Sequence, residues 1–277
     1  MDISLNEKAQ LKISPEAAYV TFSGWNVPED VRYGYSTRLF GVSEGIYASM
    51  NLGQNRGDEP DRVRENYRRM CDAIGLPTKR LVLSKQVHLC HVQKVTAADA
   101  GNGFFSENRF EDADALMTDE RNVPLVIFTS DCVPVFLYDP EYKAIALVHA
   151  GWRGTVGGIC RNTVEAMNRE YGTDPGKVLA AIGPSICRKC FEIGPEVAEQ
   201  FEVAFAGACD EVLRKGGGDR FYADLWRANE IMLLSAGVRK ENITVSGLCT
   251  MCRPELFFSH RATNGLRGSN AGFLMLG

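Results

Sequence analysis

Two adjacent apolar runs, residues 133–138 and 144–149, constrain the fold of this chain more than any other feature. Both runs are rich in Val, Ile, Leu and Ala, and the segment DPEY at 139–142 between them has the residues of a tight turn. The pattern therefore predicts a buried β-hairpin. A Gly-Trp-Arg-Gly segment and an amphipathic stretch over 155–171 follow, so the second strand is expected to lead directly into a helix.

Strand and helix patterns also alternate along the rest of the chain. Strands are predicted at 18–22, 81–95, 125–129, 178–182, 243–247 and 272–276, and helices at 60–74, 195–205 and 224–236. Because hairpins occur among the strand–helix units, a mixed sheet is expected rather than a doubly wound parallel sheet. Neither an internal repeat nor a long linker is present. The prediction is one α+β domain over residues 1–277, with mixed β-sheets flanked by helices.

The composition of the chain limits the kinds of partner that the protein is expected to bind. The 277 residues carry a formal net charge of −4, which argues against nucleic acid or an anionic membrane surface as a partner. The N-terminal residues lack the basic and apolar regions of a secretory signal, and no apolar run approaches the ~20 residues that span a bilayer. Nine cysteines, an odd number, indicate reduced thiols. We therefore expect a cytoplasmic protein with small-molecule partners.

The hairpin carries a cysteine and a histidine that could act together. If its turn is centred on 139–142, Cys132 lies opposite His149 at the open end, although Pro134 weakens the ladder enough for a slip of one residue. Opposed side chains have Cβ atoms ~5 Å apart, which suits two ligands of one metal ion. In the predicted strand 81–95, His88 and His91 face opposite sides, and His88 is the candidate third ligand. The alternative is that these are ordinary buried side chains of the core.

A set of motifs resembles the YfiH/YlmD family, also called the laccase-domain or "polyphenol oxidase" family. The matching segments are YGYSTR at 33–38, GVS at 41–43, MNLG at 50–53, GD at 57–58, EN at 65–66, QVH at 86–88, ADA at 113–115, TSDC at 129–132, HAGWRG at 149–154, GPSI at 183–186, FEIG at 191–194, CT at 249–250, FS at 258–259 and Arg261. They cover residues 30 to 277 in order. Two positions depart from the family pattern: Tyr33 stands where His is common, and His260 stands where Tyr is usual.

The resemblance implies an α+β fold and a metal site, with His88, Cys132 and His149 as the ligands and the catalytic set. Zinc fits such a set and copper is also compatible with it. Similar proteins act as purine nucleoside phosphorylases and adenosine deaminases. The implied substrates are adenosine, inosine, guanosine and methylthioadenosine, with phosphate as the second substrate.

Both reactions are chemically reasonable at a three-ligand zinc site. Zinc can activate a water for attack at adenine C6, and phosphate held by arginine and backbone N–H groups can attack the ribose anomeric carbon. The phosphate candidates are Arg38 and Arg153, the latter beside the helix expected to begin near residue 155. Asn51, Gln86 and Asp131 are candidates for orienting substrate or ligands. Surface ion pairs for the arginines and ordinary hydrogen bonding for the others are the alternatives.

Three other functions compete with this reading. A multicopper laccase needs many histidines, usually in His-x-His pairs, and this chain has four histidines and no such pair. A single-copper polyphenol oxidoreductase at the same site stays open. A cysteine hydrolase, with Cys132 as nucleophile, His149 as base and Asp131 or Gln86 assisting, is the main rival, for instance as an amidase that edits peptidoglycan precursors. The third possibility is a metal-binding or nucleotide-binding module without turnover.

Two Cys-x-x-Cys pairs, Cys187 with Cys190 and Cys249 with Cys252, have the form of a structural zinc site. The 58 residues between them are many more than zinc ribbons have. Buried thiols are therefore expected in preference to a second metal site.

Overall fold

The structure, a computed structural model, describes all 277 residues, and its elements confirm a mixed α+β fold. The strands are β1 Asp2–Asn6, β2 Ala9–Ile13, β3 Ala18–Phe22, β4 Val31–Ser36, β5 Val82–Leu83, β6 Val92–Lys94, β7 Ala115–Thr118, β8 Leu125–Thr129, β9 Val133–Asp139, β10 Ala144–Ala150, β11 Leu179–Ile182, β12 Glu192–Ile193, β13 Leu213–Lys215, β14 Phe221–Ala223, β15 Ile243–Val245 and β16 Asn270–Leu276. The helices are α1 Pro60–Ile74, α2 Trp152–Val156, α3 Ile159–Tyr171, α4 Pro195–Ala204, α5 Cys209–Val212 and α6 Leu225–Ser235. None of these helices combines the length and apolar character needed to cross a bilayer.

Two large sheets pack face to face and helices cover their outer sides. One sheet has the order β1-β2-β3-β4-β16-β8-β5, and the other has the order β15-β11-β9-β10-β7-β6. Parallel pairs (β5 with β8, β6 with β7, β11 with β15) occur beside antiparallel ones, so both sheets are mixed. A third, small sheet has the order β12-β14-β13.

The core follows the two-residue period of the strands. On β9, Val135 and Leu137 pack with α3, α4 and α6, whereas Phe136 and Tyr138 pack between the two large sheets. Helix α1 covers the other sheet, with Tyr67 against strands β8 and β16. The result is a single domain of four layers, helix, sheet, sheet and helices, and the open end of the β9–β10 hairpin reaches the edge of the middle layers.

The predicted hairpin forms, but its register differs from the prediction by two residues. Asp139 pairs with Ala144 and His149 with Pro134, and the ladder ends at Val133 opposite Ala150, one residue short of Cys132. The turn is longer because Lys143 adopts a left-handed conformation (φ 54°). A shift of two residues preserves the face of each side chain, so Cys132 and His149 still point to the same side of the sheet.

Two other sequence predictions were wrong in detail. The predicted strand 81–95 is two short strands, β5 and β6, separated by a loop that carries His88 with φ 63°. The predicted helix 155–171 begins earlier, at Trp152, and is broken into α2 and α3, because Gly158 adopts φ 79°.

Candidate active site

His149 is fixed by a buried carboxylate. Its Nδ1 lies 2.8 Å from Oδ1 of Asp114, and both side chains are almost completely buried. The other ring nitrogen, Nε2, is therefore directed away from Asp114 and is free to act as a ligand. Burial alone would lower the pKa of His149, but the neighbouring Cys132 thiolate and the Asp114 carboxylate raise it above its ordinary value.

The same carboxylate holds the loop that carries His88. Asp114 accepts hydrogen bonds from the backbone N–H groups of His88 (3.0 Å), Leu89 (2.9 Å) and Val87 (3.2 Å). These bonds fix the loop at the residue with positive φ and bring the exposed His88 ring to within 4.8 Å of the His149 ring, centroid to centroid. Burial would raise the pKa of Asp114, whereas the bonds from His149 and the loop lower it, so the carboxylate is held in its charged form. One side chain thus positions both histidines.

Cys132 completes the set and lies immediately before the first residue of strand β9. Its sulfur and one ring nitrogen from each of His88 and His149 all lie within 4.8 Å of one another. Burial raises the pKa of the Cys132 thiol, but the two imidazoles, His149 above all, outweigh this and lower the pKa below its ordinary value. The predicted ligand set therefore meets at one point.

Gly151 makes the space in front of these donors. A Cβ atom at position 151 would lie 3.0 Å from Cδ2 of His88, 3.3 Å from Sγ of Cys132 and 3.6 Å from Cε1 of His149. A sulfur and two imidazoles around a gap, with one histidine fixed by a carboxylate, is the donor set and outer-shell arrangement of zinc and copper sites. The residues therefore fit a bound transition metal.

A cavity of about 730 Å³ opens above this set, and its wall is rich in cationic side chains. The basic residues that line it, besides the histidine ligands, are Arg56, Arg153, His260, Arg261 and Arg267. None of these four arginines is paired with a carboxylate, although Arg261 donates a hydrogen bond of 2.8 Å to the carbonyl of Glu192. Arg153 extends over the Trp152 ring, 4.3 Å from its centroid. The carboxylates of Asp131, Glu192 and Glu196 also line the cavity, so its four arginines outnumber its acidic side chains by one, and the unpaired guanidinium groups suit it to an anion.

Arg267 is the clearest example of a guanidinium group in the cavity without a carboxylate partner. Its guanidinium is largely buried, and its polar contacts within the cavity wall are the Gly268 carbonyl, Ser269 Oγ and, at 3.5 Å, Nδ1 of His260. The Nε of Arg267 has no hydrogen-bond partner. Burial, together with the nearby charge of Arg56, lowers the pKa of Arg267 to about 10.

Gln86 and Asp131 both line the cavity, but most of their polar atoms are bonded to the protein. The Gln86 amide pairs with the backbone of Phe128 in both directions, each at 2.7 Å. Asp131, at φ 88°, accepts bonds from the Thr250 hydroxyl (2.6 Å) and the Arg261 amide (2.7 Å). These two side chains shape the wall and hold its segments together.

Arg38 and Asn51 lie outside the cavity. The Arg38 guanidinium donates to the carbonyls of Ala48 and Pro254 and lies over the Phe258 ring. Asn51 is fully buried, and its side-chain oxygen accepts bonds from the N–H groups of Gly53 and Ser269, both at 2.9 Å. Arg38 therefore does not line the cavity, and Asn51 instead holds together two backbone segments of its wall, at Gly53 and Ser269.

Sequence reasoning did not single out Asp114, Arg56 or Arg267. Asp114 lies in the segment ADA at 113–115, and a charged residue between two alanines before an apolar strand was the available signal. Arg56 and Arg267 lie in loops far apart in the chain, and no pattern in the sequence relates them.

The four cysteines of the Cys-x-x-Cys pairs correct the prediction of buried thiols. Their sulfur atoms all lie within 4.8 Å of one another, and Ile186, Phe191 and Arg261 from the same parts of the chain line the cavity. Only Cys249 is buried, Cys187 and Cys190 are half-buried, and Cys252 is exposed. The long separation in sequence does not prevent their convergence.

A single-domain α+β protein with a His–Cys–His site below a basic cavity is the class that fold and site define. Residues 32–277 match the family described as "Multi-copper polyphenol oxidoreductase laccase". The chain belongs to this family, which confirms the resemblance seen in its motifs.

Individual relatives agree with this assignment. Over 242 residues the chain is 36% identical to "Purine nucleoside phosphorylase YlmD" of Geobacillus stearothermophilus, covering 87% of this chain and 88% of that protein. It is 37% identical to "Adenosine deaminase RL5" of an unknown prokaryotic organism over 219 residues, which cover 78% and 82% of the two chains. The crystal structure of a YfiH protein from Bacillus licheniformis superposes with a TM-score of 0.91 at 30% identity, covering 96% of this chain and 99% of that one.

Proposed function

We propose that this chain is a metal-dependent purine nucleoside phosphorylase that also deaminates adenosine. The observation that carries the proposal is the combination of a His–Cys–His donor set with unpaired arginines in one cavity. Relatives named for each of the two reactions support it. The substrates are purine nucleosides such as adenosine, inosine, guanosine and methylthioadenosine, and free cysteines throughout the chain are compatible with a cytoplasmic enzyme.

His88, Cys132 and His149 are the proposed metal ligands, with zinc as the first candidate and copper as the second. When bound, zinc supplies a Lewis acid that makes water a stronger nucleophile at neutral pH. The chain's own contribution begins with Asp114, which keeps His149 in the tautomer that presents Nε2 to the site.

For phosphorolysis, the arginines bind a phosphate dianion and orient it toward the ribose. A phosphate oxygen forms a bond to C1′ while the bond from C1′ to purine N9 breaks, and the purine leaves with the electron pair and takes up a proton. Arg56, Arg153 and Arg267 are the proposed phosphate ligands because their guanidinium groups have no carboxylate partner in the protein. Trp152 and Phe191, also in the wall, are the proposed aromatic contacts of the purine, although Arg153 lies over one face of Trp152 and Arg261 over one face of Phe191.

Product analysis tests the proposal directly. Purified protein incubated with inosine is expected to release hypoxanthine and ribose 1-phosphate only when phosphate is present, and adenosine is expected to give inosine without phosphate. Both activities should disappear after metal chelation and return on adding zinc. If neither nucleoside is converted under any of these conditions while the protein still binds it, the chain is a binding module and the proposal is wrong.

A cysteine hydrolase is the second candidate, because Cys132, His149 and Asp114 also have the order of a nucleophile, a base and an orienting carboxylate. The variant Cys132→Asp separates the two readings, since a carboxylate is a zinc ligand but cannot act as a sulfur nucleophile. We expect this variant to retain some chelator-sensitive nucleoside turnover, and Cys132→Ala to lose it. Covalent trapping of Cys132 by substrate, with no turnover in Cys132→Asp, would favour the hydrolase.

A further inference from the structure

The four cysteines at the cavity wall form a group separate from the His–Cys–His set. Each of Cys187, Cys190, Cys249 and Cys252 offers its sulfur to one small region, and no two of them are joined by a disulfide. The sulfur atoms of Cys190 and Cys252 lie 3.4 Å apart. A tetrahedral zinc ion with ~2.3 Å bonds to sulfur has its sulfur ligands about 3.8 Å apart, which is close to this arrangement.

The fold brings the two pairs together by parallel pairing of β11 with β15. The segments that follow these strands continue side by side, as Ser185 bridges to Cys249. Cys187 is 62 positions from Cys249, and Cys190 is also 62 positions from Cys252, which nearly equals the offset of the paired strands. The two Cys-x-x-Cys segments therefore run in parallel and present equivalent cysteines to each other.

Local backbone geometry supports metal-ligating sulfurs. In the first segment, the N–H groups of Cys190 and Phe191 both donate to the carbonyl of Cys187, at 3.0 Å, so the segment turns back on itself. The Cys249 sulfur accepts two backbone N–H groups, from Cys187 at 3.3 Å and from Cys252 at 3.4 Å. Such bonds stabilise a thiolate rather than a thiol.

Three basic residues are neighbours of these cysteines in the sequence. Arg188 and Lys189 lie between the cysteines of the first pair, and Arg253 follows the second, although Arg188 faces Asp224 at 3.8 Å and Arg253 faces Glu255 at 3.6 Å. A zinc ion with four thiolates carries a net charge of −2, so nearby positive charge favours it.

We propose that Cys187, Cys190, Cys249 and Cys252 bind a structural zinc ion, in addition to any metal at the His–Cys–His site. This ion ties together two segments of the cavity wall. Residues Ile186 and Phe191 of the first segment line the cavity, and Thr250 of the second donates to Asp131, which precedes the ligand Cys132. The zinc therefore fixes the wall from outside and takes no part in the chemistry.

Zinc counting in the full-length protein tests the proposal. Protein produced in zinc-supplemented medium, dialysed and analysed by native mass spectrometry, is expected to carry a zinc ion that the double variant Cys190→Ser/Cys252→Ser lacks. The variant His149→Ala is expected to keep that ion. With cobalt in place of zinc, the wild type should show a strong sulfur-to-metal charge-transfer band, and the double variant should lose most of it.

Two further variants guard against misfolding and unspecific effects. Cys252→His replaces an exposed ligand by another zinc ligand and should retain the ion, whereas Cys209→Ser removes a half-buried cysteine outside both groups and should change nothing. A protein that is 2 Da lighter than its sequence and holds no zinc at this group would instead contain a disulfide, which overturns the proposal. Equal zinc content in wild type and the double variant would also overturn it.

The outcome is independent of the function proposed for the cavity. If the His–Cys–His set binds no zinc, wild type and His149→Ala still carry one zinc ion each, and the double cysteine variant carries none. If only the His–Cys–His set binds zinc, wild type and the double cysteine variant carry one zinc ion each, and His149→Ala carries none. The two proposals therefore fail separately.

Discussion

Replacing Asp114 by Asn should abolish most activity, because this one carboxylate positions both histidines of the proposed metal site. Its oxygens accept four hydrogen bonds, from His149 Nδ1 and from the N–H groups of three consecutive loop residues, 87–89. An amide has one oxygen, so its NH₂ group must face two of these donors. Loss of such an outer-shell carboxylate typically lowers metal affinity by about 10- to 100-fold, and we expect nucleoside turnover to fall at least as far. Metal affinity is measured by chelator competition.

The matched control is Asp112→Asn, two residues earlier. Asp112 is more exposed and contacts the Nδ1 of His91, outside the site, so its loss should leave metal affinity unchanged. Thermal unfolding with and without metal distinguishes positioning from general stability. If Asp114→Asn binds metal as tightly as wild type and is merely less stable in both states, Asp114 has no role in positioning the ligands.

The second large effect is expected at the arginines of the cavity. Arg56→Ala and Arg267→Ala should lower phosphate-dependent cleavage of inosine by about 30- to 150-fold, from ~2–3 kcal/mol for one charged hydrogen bond. Deamination of adenosine needs no phosphate and should largely persist. Arg153→Ala is expected to follow the same pattern to a smaller extent, because its guanidinium lies over Trp152. Steady-state kinetics of both reactions, with phosphate varied, measure the difference.

Arg64→Ala serves as the control for charge. Arg64, on helix α1, and its ion-pair partner Asp61 both lie outside the cavity lining, so its removal should affect neither reaction strongly. Arg56 is exposed, so its variant is expected to fold normally, and Arg267→Lys tests the buried position while keeping a cation. Equal loss of both reactions in Arg56→Ala, Arg153→Ala and Arg267→Ala would mean that these side chains position the nucleoside or the fold, not phosphate.

The convergence of Cys132 and His149 was predictable from sequence because it depends on the face of the sheet that each side chain occupies and not on the exact register. The turn after Asp139 is longer than predicted, and His149 pairs with Pro134 instead of Cys132. Strand side chains alternate, so a two-residue shift kept Cys132 and His149 on one face. His88 joined them for a different reason than expected, since it lies on a loop with positive φ and not on a strand.

What sequence could not supply was contacts between distant segments. Asp114 acts through backbone N–H groups of a loop more than twenty residues away, and backbone donors leave no trace in the residue pattern. The two Cys-x-x-Cys pairs were separated by a length that argued against one site, because the parallel pairing of β11 with β15 was not foreseen. Arg38 had the positive charge that a phosphate ligand needs, but its guanidinium group donates to the nearby carbonyls of Ala48 and Pro254.

Gly151 has a consequence for what can approach the donors. A Cβ atom at this position would lie 3.0 Å from the His88 ring and 3.3 Å from the Cys132 sulfur, both closer than ordinary van der Waals contact. The chain therefore leaves no room for a side chain between residue 151 and the three donors, and its backbone closes them off on that side. A nucleoside must approach the donors from the cavity.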